Sequence, residues 1–171
     1  MRLTMKKKLF IILPALILAG CVMSDAERKT AYADHYYQSP EYIADYKQKI
    51  STMSVNELAV VGAQEDRAKM NGQSRMKIGD SLYIENIEAK DNNVIYHYSL
   101  SPAWLKKSAS SQEKDQINMQ KDLTFRTCSL KTVQLAQEKG LAEIHQYYDD
   151  YPQHILFTLH ANKALCKENG F

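Results

Sequence analysis

"LAEIHQYYDDYPQHILFTLHA", residues 141–161, is the stretch on which the fold turns. Two runs rich in strand-forming residues, 141–148 and 154–161, flank the connector "DDYPQ". In the second run Ile155, Phe157, Leu159 and Ala161 alternate with His154, Leu156, Thr158 and His160. A period of two puts alternate side chains on opposite faces of a strand. Acids and a proline between the runs supply turn chemistry, so the pattern predicts an antiparallel hairpin. A lone hairpin is at best marginally stable in water, so the rest of the chain has to supply more strands or a helical layer.

Upstream, "SLYIENIEA" (81–89) and "VIYHYSL" (94–100) predict a second hairpin, joined by "KDNN". Val94, Tyr96, Tyr98 and Leu100 share one face, with Ile95, His97 and Ser99 on the other. "RMKI" (75–78) reads as a short preceding strand. Between the hairpins, "SPAWLKKSASSQEKDQ" reads as a polar loop leading into a helix from about Gln112 to Cys128. A further helix, Lys131 to Lys139, stops at Gly140, which suits the left-handed residue after a helix end.

Residues 22–71 read as helical. "SDAE" and "SVNE" are capping boxes, with Ser24 and Ser54 answered by Glu27 and Glu57. "SPEY" offers Ser39 as a cap and Pro40 in the first turn. Ile43, Tyr46 and Ile50 form one apolar stripe, and Leu58 and Val61 begin another. Asn71-Gly72 ends the run. Together these elements define an α+β domain: an antiparallel sheet of about four to five strands flanked by helices, with a helical N-terminal part.

The chain opens with Arg2, Lys6, Lys7 and Lys8 and has no acid before Asp25. An apolar segment, Leu9 to Leu18, follows, interrupted by Pro14. It is about half the roughly 20 residues that a membrane-spanning helix needs. A basic start, a short apolar middle and small residues at the end mark a secretory signal. Leu18-Ala19-Gly20-Cys21 resembles the lipobox of bacterial lipoproteins. That resemblance implies a diacylglyceryl group on the Cys21 thiol, cleavage before it and acylation of the new amino end. One buried acyl chain holds a protein to a membrane weakly and two or more hold it stably. By the same resemblance to bacterial lipoproteins and their sorting rules, Val22 in place of an aspartate implies the outer membrane, facing the periplasm. The expected organisation is a lipoprotein signal peptide at 1–20, a lipidated N-terminus and helical tether at 21–71, and an α+β domain at 72–171.

The signal holds four of the 22 lysines and arginines and none of the 20 acids, so the remainder carries a slight acidic excess. No concentrated basic face points to nucleic acid. Of three cysteines, Cys21 is taken by lipid. Cys128 and Cys166 are left in an oxidising compartment, where pairing is the default. Their bridge would close a loop of about 38 residues, contributing roughly 4 kcal/mol on the chain-entropy argument. No Cys-x-x-Cys spacing suggests a redox pair, and no paired ligand spacing suggests zinc.

The other candidates for chemistry are thin. By strand parity His97, His145 and His160 could share the less apolar sheet face, and three imidazoles can bind zinc. No His-Glu-x-x-His run supports that reading, so neither a metal nor a cofactor is expected. Asp149 and Asp150, side by side in the turn, suit local backbone hydrogen bonds better than catalysis. There is no Gly-x-Ser-x-Gly elbow and no phosphate loop, so no catalytic residue is assigned. Trp104, the one tryptophan, reads as packing over the sheet edge in preference to a partner anchor. The eleven tyrosines and the amphipathic helices could form a groove for a partner helix, though core packing explains them equally well.

The order of motifs from Asn71 onward carries a family resemblance. "MNGQSRMKIGDSLYIENIEAKDNNVIYHYSL" (70–100) is followed by "TFRTCSL" (124–130) and "LAQEKGLAEIHQYYDDYPQHILFTLHANKALC" (135–166). Short strand, hairpin, cysteine-bearing helix, glycine-led final hairpin and terminal cysteine resemble the β-class pilotin lipoproteins of type II secretion systems. They also resemble a wider set of small disulfide-containing bacterial lipoproteins. The pilotin resemblance implies a disulfide from Cys128 in a helix to Cys166 at the last strand. It also implies a non-catalytic protein, held to the membrane through Cys21, that binds the C-terminal segment of a secretin. The wider set leaves surface exclusion, inhibition or envelope maintenance as the alternative.

Overall fold

The computed structural model describes residues 23–171, so the signal and Cys21 lie outside the described residues. The chain runs through helices α1 (Asp25–His35), α2 (Pro40–Ser51) and α3 (Val55–Ala68) before reaching strand β1 (Met76–Gly79). The strands β2 (Leu82–Lys90) and β3 (Asn93–Leu100) follow, then helices α4 (Pro102–Leu105), α5 (Ala109–Ser129) and α6 (Lys131–Glu138). The strands β4 (Ala142–Asp150) and β5 (His154–Ala161) and helix α7 (Lys163–Glu168) complete it.

Local chemistry starts and stops these helices. Ser24 Oγ accepts the Glu27 N–H at 3.3 Å while Glu27 Oε2 accepts the Ser24 N–H at 2.8 Å. Ser54 and Glu57 repeat the arrangement at 3.2 and 2.7 Å. Two otherwise unsatisfied N–H groups are satisfied at each start. Asn71 (φ 52°) and Gly72 (φ 76°) turn the chain out of α3 through the left-handed region. Gly140 (φ 97°) does the same between α6 and β4, where a β-carbon would be strained.

The five strands form one sheet in chain order, β1 to β5. The α+β class and the strand count follow the sequence reading, and both predicted hairpins pair antiparallel. One junction departs from the expected antiparallel sheet: β3 and β4 run parallel, so the sheet is mixed. The cause lies in the connection. Parallel neighbours need a crossover of a dozen or more residues, usually helical, and residues 101–141 supply one through α4, α5 and α6. Two further details differ. The segment at 101–116 is largely helical, with α5 starting at Ala109 instead of Gln112, and the chain ends in a helix, α7.

Register sorts the side chains into two faces. Ile84, Tyr98, Tyr147 and Phe157 lie in one cross-strand row. Ile87, Tyr96, His145 and Leu159 form the next row on the same face. Helices cover this face: Ala59 and Ala63 of α3 and Leu123 of α5 join these strand residues in one buried cluster. Helix α3 lies over β2 and β3, and α5 over β5. The opposite face carries Asn86, His97, Gln146 and Thr158 in one row, and Glu88, Ile95, Ile144 and His160 in the next.

The N-terminal helices pack onto this framework. Ile50 of α2 and Leu58 of α3 are buried with Ala136 of α6. Lys139 Nζ donates to the Ile50 and Met53 carbonyls, both at 2.5 Å, satisfying acceptors at the end of α2. The Gln38 amide accepts the Thr132 N–H at 3.0 Å and donates to its hydroxyl at 2.8 Å. Helix α1 buries no residue, yet Tyr32 meets Phe125 edge to face and its hydroxyl donates to Asp122. At the outer edge of the sheet, Gln120 reaches from α5 to β5. Its amide donates to the His160 carbonyl at 2.9 Å and accepts the His160 N–H at 3.2 Å.

A candidate binding groove

Beside α5, where that helix faces α4 and the β1–β2 end of the sheet, lies an open groove of about 630 Å³. Its floor is Tyr98, Leu100, Tyr147 and His145 from the two central strands. One wall is α5, through Met119, Leu123 and Arg126; the other is Trp104 of α4 with Ile78 and Leu82 from the β1–β2 end. Tyr36 of the α1 end also lines it. Aromatic rings stack along the floor, with Tyr98 5.0 Å from Tyr147 and Tyr147 4.5 Å from Phe157. Trp104 is 3% exposed and lies 5.9 Å from Phe157, so it stiffens the wall from within, in keeping with its reading as a packing residue. Ile78 at the rim is 46% exposed.

The groove's polar groups are unevenly partnered. Burial pushes the Tyr98 and Tyr147 hydroxyls well above the usual phenol range, so both are neutral at any physiological pH. His145 is 3% exposed. Burial holds its imidazole below the ordinary value, with Glu143 opposing, so the neutral form dominates. Its Nε2 lies 3.5 Å from Glu143 Oε2 and has no closer polar partner. Arg126 also lines the groove, and its buried Nε has no hydrogen-bond partner among the described residues. The nearby Lys107 and Asp115 satisfy each other at 2.6 Å.

The structure disperses the three histidines that strand parity grouped. His145 faces the helices, whereas His97 and His160 lie on the other side of the sheet. Parity across β4 depends on its pairing with β3, and the parallel register sets Tyr96, not His97, beside His145. His97 is buried in its own network, 2.9 Å from the Tyr148 hydroxyl and 3.1 Å from Glu88 Oε1. Among the described residues, no group of three or more His, Cys, Asp or Glu side chains could hold a metal ion. Asp149 accepts from exposed His154 at 2.8 Å, and that bond holds its carboxyl below the usual range. Asp150 pairs with His154 through the strand ladder.

Cys128 and Cys166 face each other with Cα atoms 5.4 Å apart and sulfurs at bonding distance. Cys166 sits on α7 and not on a strand, so this link ties α5 to the terminal helix. Sequence reasoning did not single out Arg126, and it named His145 only as a metal candidate on the other face of the sheet.

No protein-family model matches the chain, and no curated protein sequence matches it. Among solved structures, a secreted protein of Pseudomonas aeruginosa shares the fold at a TM-score of 0.50 and 9% identity. That alignment covers 67% of this chain and 98% of the other. The pilotin EpsS of the Vibrio vulnificus type 2 secretion system is similar at a TM-score of 0.45 and 11% identity, covering 66% and 94%. The type II secretion pilotin AspS of Vibrio cholerae is similar at 0.46 and 14%, covering 72% and 97%. At these identities the likeness concerns the fold. No described helix is long and apolar enough to cross a membrane.

Proposed function

We propose that this chain is a lipid-anchored, non-catalytic binding protein whose groove takes a helical segment of a protein partner. In its sharpest form the partner is a secretin and the chain a pilotin that brings secretin subunits to the outer membrane. The groove carries the proposal. It is open, floored by stacked aromatic rings and rimmed by an exposed isoleucine. Such a trough suits a stripe of apolar anchors spaced i, i+3/i+4 and i+7 along a helix. The motif order from Asn71 to Cys166 supports the pilotin form. A Cys128–Cys166 disulfide would keep α5, the groove's wall, fixed against α7. Lipid on Cys21 would confine the domain to the membrane surface, where a modest contact persists because the effective concentration is high.

Two measurements test this reading. Mass spectrometry of protein from its native host should show a chain that begins at an acylated Cys21. An intact leader or an unmodified thiol defeats the anchoring. Affinity purification of the lipidated protein from detergent-solubilised envelopes should recover a secretin, and its deletion should impair secretin assembly. Normal assembly in the deletion strain defeats the pilotin form.

A further inference from the structure

Arg126 is the one strong cation of the groove without a carboxylate partner. Its guanidinium makes no close ion pair among the described residues, its buried Nε has no hydrogen-bond partner among them, and Glu143 and Asp122 favour its charge only from a distance. The other charges nearby are already engaged. Lys107 and Asp115 hold each other at 2.6 Å, and Asp122 accepts the Tyr32 hydroxyl. The nearest polar contact of Glu143 is His145, at 3.5 Å. His145 beside it is 3% exposed, lines the same groove and also leaves Nε2 without a hydrogen-bond partner. Two donor-capable side chains, one a permanent cation, therefore stand unsatisfied among Tyr98, Leu123 and Tyr147.

A buried polar group without a partner costs free energy, and a guanidinium more than most. Arginine also cannot escape the cost by losing its proton. The cheap relief is an acceptor brought by a ligand, and a carboxylate matches the guanidinium fork best. We infer that the groove is specific for a partner helix that carries an aspartate or glutamate among its apolar anchors, the acid seating on Arg126. The inference rests on the groove being the partner site. It adds the charge rule by which one apolar helix is taken and another refused: a helix with a neutral residue there leaves the buried Arg126 Nε unpaired.

The test uses the full mature chain in nanodiscs and two soluble probes of one shape, 4-phenylbutyrate and its neutral amide. NMR follows the Arg126 Nε–H and Trp104 indole N–H signals. The acid should shift both signals and bind about tenfold or more tighter than the amide, the usual worth of a desolvated charge-assisted hydrogen bond. Arg126→Gln should erase that preference, and Arg126→Lys, which keeps the charge but not the fork, should retain part of it. Circular dichroism confirms that both variants are folded. Equal response to acid and amide, no response to either, or an acid preference that survives in Arg126→Gln overturns the inference. A synthetic secretin C-terminal segment from the same host is titrated in parallel. If it fails to bind while the acid preference holds, the pilotin reading falls and the charge rule stands. If it binds equally well to Arg126→Gln, the groove reading stands and the charge rule falls.

Discussion

At position 145 a histidine lies buried at the floor of the groove, 3% exposed and held neutral by burial. Its folded-state pKa lies below the unfolded value near 6.5, so below that pH the unfolded chain binds the proton more readily than the folded one. Stability should therefore be fully present above about pH 6.5 and fall as the medium is acidified, by at most about 1.4 kcal/mol per pH unit. Urea melts at pH 7.5 and 5.5 should show the loss, and His145→Gln should reduce the difference between them. A pH-independent midpoint in the parent protein would contradict it. Phe125, 1% exposed and against Tyr32 and Phe171, tests the core. Phe125→Ala should cost about 3–5 kcal/mol in the same melts. Position 126 shows the limit of reading residues singly. An arginine between Phe125 and Thr127 looks like any surface cation on a helix until the register shows that it faces the groove.

Elements were the most legible level. Both hairpins, the two capping boxes and the stop at Gly140 could be read because each is encoded within a few residues. Ser54→Ala should therefore cost about 0.5–2 kcal/mol, since Ser54 Oγ accepts the Glu57 N–H at the start of α3 and that helix buries Leu58, Ala59 and Ala63. Gly140→Ala places a β-carbon at φ 97° and should destabilise by about 1–2 kcal/mol, although the nearest atom, on Val55, is 4.0 Å away. Thermal melts of the two variants separate a lost cap from backbone strain. What stayed hidden depends on distant parts of the chain. The pairing of β3 with β4 is parallel because a helical crossover intervenes, and no residue within either strand encodes that choice. The face taken by His145 follows from it. Helix α7 is six residues long and too short to announce itself by periodicity. The groove was legible only as a supply of aromatic residues; its position required knowing which strands sit at the centre.

Over the whole molecule, the helices load one side of a sheet whose second half is enclosed by the Cys128–Cys166 link. That loop contains α6, β4 and β5, so replacing both cysteines by alanine should lower stability by about 4 kcal/mol. Hydrogen exchange should rise first in β4 and β5, and equal loosening of β2 would argue against a local staple. The outer rim of the sheet has a separate safeguard. With its two bonds to His160, the Gln120 amide stands where the backbone of a sixth strand would lie. Gln120→Ala should leave the fold intact and increase self-association in sedimentation experiments. An open edge strand is a sticky border, and a single side chain acting as a counterfeit strand discourages neighbouring copies from zipping on.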